Sequence, residues 1–220
     1  DLPRFYAEGI AGEDADWGPA DAVARRSNAV LVDGWFRLNA GPVRLELEAV
    51  YGWAKIEDPS GLVTLSLPAL TSNQWGGAFE AEVEAVRDRV WFQIGLDLAS
   101  GDSAPGLGIA PPLGQARSVP GDFDGPQFDL AGDTTVDNFR FHPNHRVDLV
   151  FWRTIAGTVT DAFVFRPELR LRAGPAFEAR IRGVVSAALQ PASTPSGDPF
   201  YGGELDLEAW WTPVEGFVAR

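Results

Sequence analysis

The sequence predicts an all-β protein made of long antiparallel strands. Three observations carry that expectation. Apolar and charged residues alternate with period two over many stretches, the connections between stretches switch between tight and long, and aromatic residues collect near the stretch ends. Alternation sustained over this many residues marks strands with two unlike faces. No helix-length stretch competes. Residues 14–26, DADWGPADAVARR, leave room for one short helix.

Taken in order, NAVLVDGWFRL puts Val30, Val32, Gly34, Phe36 and Leu38 opposite Asp33 and Arg37. VRLELEAVYGW puts Val43, Leu45, Leu47, Ala49, Tyr51 and Trp53 opposite Arg44, Glu46 and Glu48. WGGAFEAEVEAV sets Trp75, Phe79, Ala81 and Val83 against Glu80, Glu82 and Glu84. VWFQIGLDL sets Val90, Phe92, Ile94, Leu96 and Leu98 against Gln93 and Asp97. FVFRPELRLR sets Phe163, Phe165, Pro167, Leu169 and Leu171 against Arg166, Glu168, Arg170 and Arg172. FEARIRGVVSAAL sets Phe177, Ala179, Ile181, Val185 and Leu189 against Glu178, Arg180 and Arg182. In YGGELDLEAWW, Leu205, Leu207 and Ala209 alternate with Glu204, Asp206 and Glu208.

The tight connections are 39–42, 86–89, 173–176 and 212–216. The long ones, rich in Gly, Pro, Ser and Asp, are 12–27, 57–72, 99–137 and 190–202. Between 138 and 162 the rhythm closes if NFRFH is a short strand, PNH a tight turn and IAGTVTD a short connection on the long-loop side. Short turns on one rim and long loops on the other are the plan of an up-and-down barrel of the outer-membrane kind, here with about 8–10 strands visible. The chain reads as one barrel domain over 1–220, or as part of a larger barrel, with a long loop at 99–137.

Period two does not say which face is wet. A soluble sandwich buries its apolar face, whereas a membrane barrel turns that face to lipid and lines a hydrated lumen with the charged one. Three features favour lipid. The strands run to about ten residues or more, where about 5–6 is usual. Trp53, Trp75, Trp91, Trp152, Trp210, Trp211 and Tyr51 sit near strand ends, where interfacial girdles form. The charged faces also mix acidic strands with Arg-rich ones, which suits walls that face each other. The expected lumen-lining charges are therefore Arg44, Glu46, Glu48, Glu80, Glu82, Glu84 and Asp97, then Arg166, Glu168, Arg170, Arg172, Glu178, Arg180 and Arg182, and last Glu204, Asp206 and Glu208.

Composition sets outer bounds. The formal net charge of -13 argues against nucleic acid and anionic lipid surfaces as partners. With no cysteine there is no disulfide, thiolate zinc site or cysteine nucleophile. No run of about 18 apolar residues marks a transmembrane helix. No cofactor is called for.

The passages DNFRFHPNHRVDLVFWRTIAGTVTDAFVFRPELRLR, 137–172, and STPSGDPFYGGELDLEAWWTPVEGFVA, 193–219, resemble uncharacterised outer-membrane β-barrel proteins of myxobacteria, themselves similar to alginate-export-type porins. The resemblance implies an outer-membrane pore and carries no catalytic residues. It also implies further strands beyond GFVAR and a final aromatic residue, whereas this sequence stops at Arg220.

A second reading starts from ELDLE, which is similar to the Glu-x-Asp-x-Glu box of laminarinase- and lichenase-type jelly-roll glycoside hydrolases. There Glu204 would be nucleophile and Glu208 general acid/base, and retention needs the two carboxyls about 5–5.5 Å apart. Four residues along a strand separate their Cα atoms by about 13 Å, so both side chains would have to lean together. The same alternation recurs at 46–48 and 80–84, which favours a repeated polar face. A soluble carbohydrate-binding sandwich is the third reading. The acidic loop offers Asp122 and Asp124 as a weak Ca²⁺ candidate, though its spacing is not that of an EF-hand. His142 and His145 flank a Pro-Asn turn and read as turn residues. The expected function is a non-enzymatic pore that passes small solutes or ions through a charged lumen.

Overall fold

The computed structural model describes residues 26–59, 68–102, 134–191, 194 and 197–212. These build one sheet of seven antiparallel strands in up-and-down order. The strands are β1 (Ser27–Ala40), β2 (Val43–Ile56), β3 (Leu70–Val86), β4 (Val90–Ala99), β5 (Ala162–Arg172), β6 (Phe177–Ala188) and β7 (Phe200–Trp211). They run from 10 to 17 residues. Each pairs with its sequence neighbour, so β1 and β7 have one strand partner apiece among the described residues, and the sheet does not close on itself.

The tight turns lie where the alternation breaks. Gly41 at φ +59° supplies the left-handed residue of the β1–β2 turn, a conformation cheap only without a Cβ. Asp88, at φ +57°, turns β3 into β4, and its N–H donates to Glu84 Oε1 at 2.6 Å. Gly174 does the same between β5 and β6. The turns at 39–42, 86–89 and 173–176 share one end of the sheet, and the N–H of Thr212 bonds the carbonyl of Ala176 there. The connections β2–β3, β4–β5 and β6–β7 share the other end.

Two expectations are corrected. Seven strands are present among the described residues, against about 8–10 expected. The deficit arises at 138–161, where NFRFH is not a strand of the sheet, although PNH does form the expected tight turn, with the His145 N–H donating to the His142 carbonyl. The connection expected over 99–137 instead runs from Ser100 to Asp161. Residues 143–144 form a turn, Phe151–Ile155 a single π-helical turn, and Arg140 and Thr160 one isolated bridge. Short polar–apolar alternation here reflects a segment folded against a surface, which period two cannot distinguish from a strand. The candidate helix at 14–26 lies outside the described residues except for Arg26, and Asp122, Asp124 and most of 212–216 lie outside them too.

Residues 134–161 lie over the long-connection end of the charged face. β3 is longer than β4, and its overhang is covered by 134–137: Thr71 bridges Thr135, Ser72 Oγ donates to the Val136 carbonyl, and the Asn73 N–H donates to Asp137 Oδ1. Beyond it Val147, Trp152 and Val159 pack with Ala99, Ala162, Val164 and Val184 in the one dry cluster among the described residues. Trp152 Nε1 donates to Ser186 Oγ at 2.9 Å, which satisfies the indole's one donor inside that cluster.

Candidate functional site

The register places the sequence-predicted charges on one face. Arg37 stands beside Glu46, Arg44 beside Glu82, Glu82 beside Gln93, Arg166 beside Gly95, Glu168 beside Arg182, and Arg182 beside Asp206. Counting along all seven strands, this face holds twelve carboxylates and seven guanidiniums, while the opposite face holds a single charge, Lys55, at the end of β2.

Burial is reversed from that of a sheet in water. Asp206 is 5% exposed while its neighbour Leu207 is 68% exposed. Arg166, Glu168 and Asp97 are buried, whereas Phe92, Ile94, Ile181, Val185 and Leu205 on the other face are exposed. An apolar face this continuous exceeds what monomeric proteins ordinarily present to water.

Of the buried charges on this face, Asp97, Arg166 and Glu168 are paired, while Asp206 forms no ion pair. Asp97, fully buried, takes Arg166 Nε at 2.7 Å and Nη2 at 3.1 Å, and His145 Nε2 lies 2.8 Å from its Oδ1. His145 stacks on Phe141 with ring centroids 4.4 Å apart. Arg182 pairs with Glu168 at 2.6 Å, Arg172 with Glu178 at 2.8 Å, and Arg180 with Glu208. Arg170 reaches across β4 to Glu82 on β3 at 3.4 Å. Arg37 holds Glu46 at 2.7 Å and Arg44 holds Glu80 at 3.1 Å. At the tight-turn end arginines also stack on tryptophans: Arg170 and Arg172 over Trp91, Arg180 over Trp210, and Arg37 over Trp35.

Glu204 and Glu208 are committed to different partners. Glu204 accepts from the backbone N–H groups of Leu149 and Phe151, at 3.0 and 3.4 Å, and Glu208 pairs with Arg180. Asp148 mirrors Glu204 from the other side of the π-helical turn, accepting from the N–H groups of Trp152 and Arg153. Burial pushes the Asp148 carboxyl above the usual carboxylate range. Asp148, Phe151, Ser186, Tyr201 and Glu204 line a small cleft of about 140 Å³ between the segment and the sheet. Among the described residues no group of three His, Cys, Asp or Glu is placed to hold a metal ion.

Two glycines, Gly76 and Gly101, form the seat of the segment, and a third, Gly95, makes room for Arg166 of β5. A Cβ on Gly76 would lie 2.3 Å from the Phe139 ring, one on Gly95 2.8 Å from the Arg166 guanidinium carbon, and one on Gly101 1.8 Å from Asp161 Oδ1. Gly76→Leu is therefore expected to push Phe139 off the sheet and loosen 134–161, at the 1–3 kcal/mol typical of overpacking (about that range). Limited proteolysis should then cut within this segment, and unchanged protection would mean Phe139 does not hold it.

Nothing in the period-two alternation marks His145, Asp148, Trp152 or Asp161 as contacts of the sheet. Their signal was a cluster of polar residues in a stretch too irregular for a strand. No protein-family model, curated protein or solved structure matches the chain.

Proposed function

We propose that the sheet is the wall of an outer-membrane β-barrel and that the protein is a pore, passing small solutes or ions along its charged face. The observation that carries the reading is the reversed burial: nineteen charges share one face, four of them buried, and the apolar face is open. In a bilayer such a face replaces a core, since lipid takes the place of buried side chains. Strands of 10–17 residues are long enough to cross, because a tilted transmembrane strand needs about 9–11. Tyr51 and Trp75 pair near one end of the apolar face, and Phe177 and Trp211 pair near the other, in the manner of interfacial girdles. The resemblance of 137–172 and 193–219 to outer-membrane barrels points the same way.

In this reading 134–161 folds into the lumen and narrows it, while the inner face of β1 and β2 stays open to water. β1 and β7 run in the same direction, so a ring with antiparallel neighbours throughout takes an odd number of additional strands. Among the described residues no helix is long and apolar enough to cross a membrane, so the crossing is assigned to strands.

Lumen positions tune selectivity whereas lipid-facing ones set stability. Reversing Arg170 and Arg180 to Glu is thus expected to shift permeability toward cations in a planar bilayer with the apparent size unchanged. An unchanged reversal potential in a conducting protein would place these arginines off the path.

A further inference from the structure

We infer that the passage favours cations over anions, and that its determinants are the five carboxylates of the charged face with no arginine partner: Asp33, Glu48, Glu84, Glu204 and Asp206. This rests on the pore reading above and names the solute class it admits.

The arginines of the face are all matched by carboxylates. Each of the seven arginines on the face pairs with a different carboxylate: Arg37 with Glu46, Arg44 with Glu80, Arg166 with Asp97, Arg170 with Glu82, Arg172 with Glu178, Arg180 with Glu208 and Arg182 with Glu168. Paired charges leave a dipolar field that decays faster than that of a single ion. Five carboxylates remain, and among the described residues none of them has an arginine within ion-pair distance. Glu204 and Asp206 lie against each other, and Asp206 stands beside Arg182 in the register without forming an ion pair with it. Glu84 accepts the Asp88 N–H, and Glu204 accepts the N–H groups of Leu149 and Phe151. One carboxylate oxygen of Asp206, Oδ2, is buried and has no hydrogen-bond donor. The segment 134–161 brings three arginines and three aspartates, which leaves the balance unaltered.

The wall therefore carries a net negative charge, which a narrow cleft with low-dielectric sides would focus. Asp33 and Glu48 lie on β1 and β2, away from the covered end, where both residues are exposed. A hydrated cation passing there meets hard carboxylate oxygens able to replace part of its water shell. An anion meets net repulsion. The fit is to inorganic cations and small protonated amines.

The test is reversal potential of the intact protein in a planar bilayer under a KCl gradient. The expected result is a potential of the cation sign that shrinks as ionic strength rises. Asp33→Asn with Glu48→Gln should lower the K⁺/Cl⁻ permeability ratio, and Asp33→Arg with Glu48→Arg should lower it further. Conduction that is anion-selective or unselective, or a ratio unmoved by either pair, would overturn this inference and leave the pore reading standing. A membrane-inserted protein that stays silent, even with Gly76→Leu loosening the segment, would overturn both.

Discussion

Replacing Arg166 with alanine is expected to destabilise the folded chain by about 3–5 kcal/mol, the usual cost of removing one partner from a buried ion pair. Asp97 has no exposure and takes two of its hydrogen bonds from Arg166. His145 is its other partner, reaching one oxygen. The effect should extend to the connecting segment, because the same carboxylate ties His145 to the sheet. The measurement is the denaturant midpoint in detergent or lipid. The double variant Asp97→Asn with Arg166→Met removes both charges and should recover much of the loss, since the cost lies in the stranded carboxylate. A double variant as unstable as the single would mean that packing of the Arg166 guanidinium over Gly95, and not charge, sets the effect.

Leu207→Arg should cost about 2–4 kcal/mol if Leu207 meets lipid near the bilayer midplane. The same change on a water-facing surface stays within about ±0.5 kcal/mol. Leu207 is 68% exposed, so nothing among the described residues packs against it strongly enough to make the substitution costly. A large loss in the presence of lipid and a negligible one in its absence would identify the bilayer as the missing partner. A negligible loss in both would leave the apolar face without a membrane role.

The sheet was legible in the sequence because its cause is repeated. In each of the seven strands charged and apolar residues alternate, and one register slip would exchange the faces. That redundancy placed Glu46, Glu82, Arg170, Arg180 and Asp206 on one side and Leu47, Phe79, Leu169, Ile181 and Leu207 on the other, as the pairing shows. The site was legible as a face and not as a set of partners. Arg170 reaches Glu82 across an intervening strand, and Glu204 turns to the backbone of the π-helical turn, contacts that depend on sheet curvature and on a segment far away in sequence. The segment itself was misread as strands because its short alternations are also what a folded strap produces. What separates the two is the seat: Gly76 and Gly101 lack side chains where Phe139 and Asp161 come down, and a glycine in or beside a strand signals close approach without saying of what.

The central claim is that the apolar face meets lipid and the charged face meets water. Because the chain has no cysteine, single nitroxide labels can be placed without background at 205, 206, 207, 208 and 209 along β7. Collision with oxygen, which partitions into lipid, should peak at 205, 207 and 209, and collision with a water-soluble nickel chelate should peak at 206 and 208. Labels at 205, 207 and 209 that collide with the chelate and not with oxygen, in protein reconstituted into bilayers, would contradict the account.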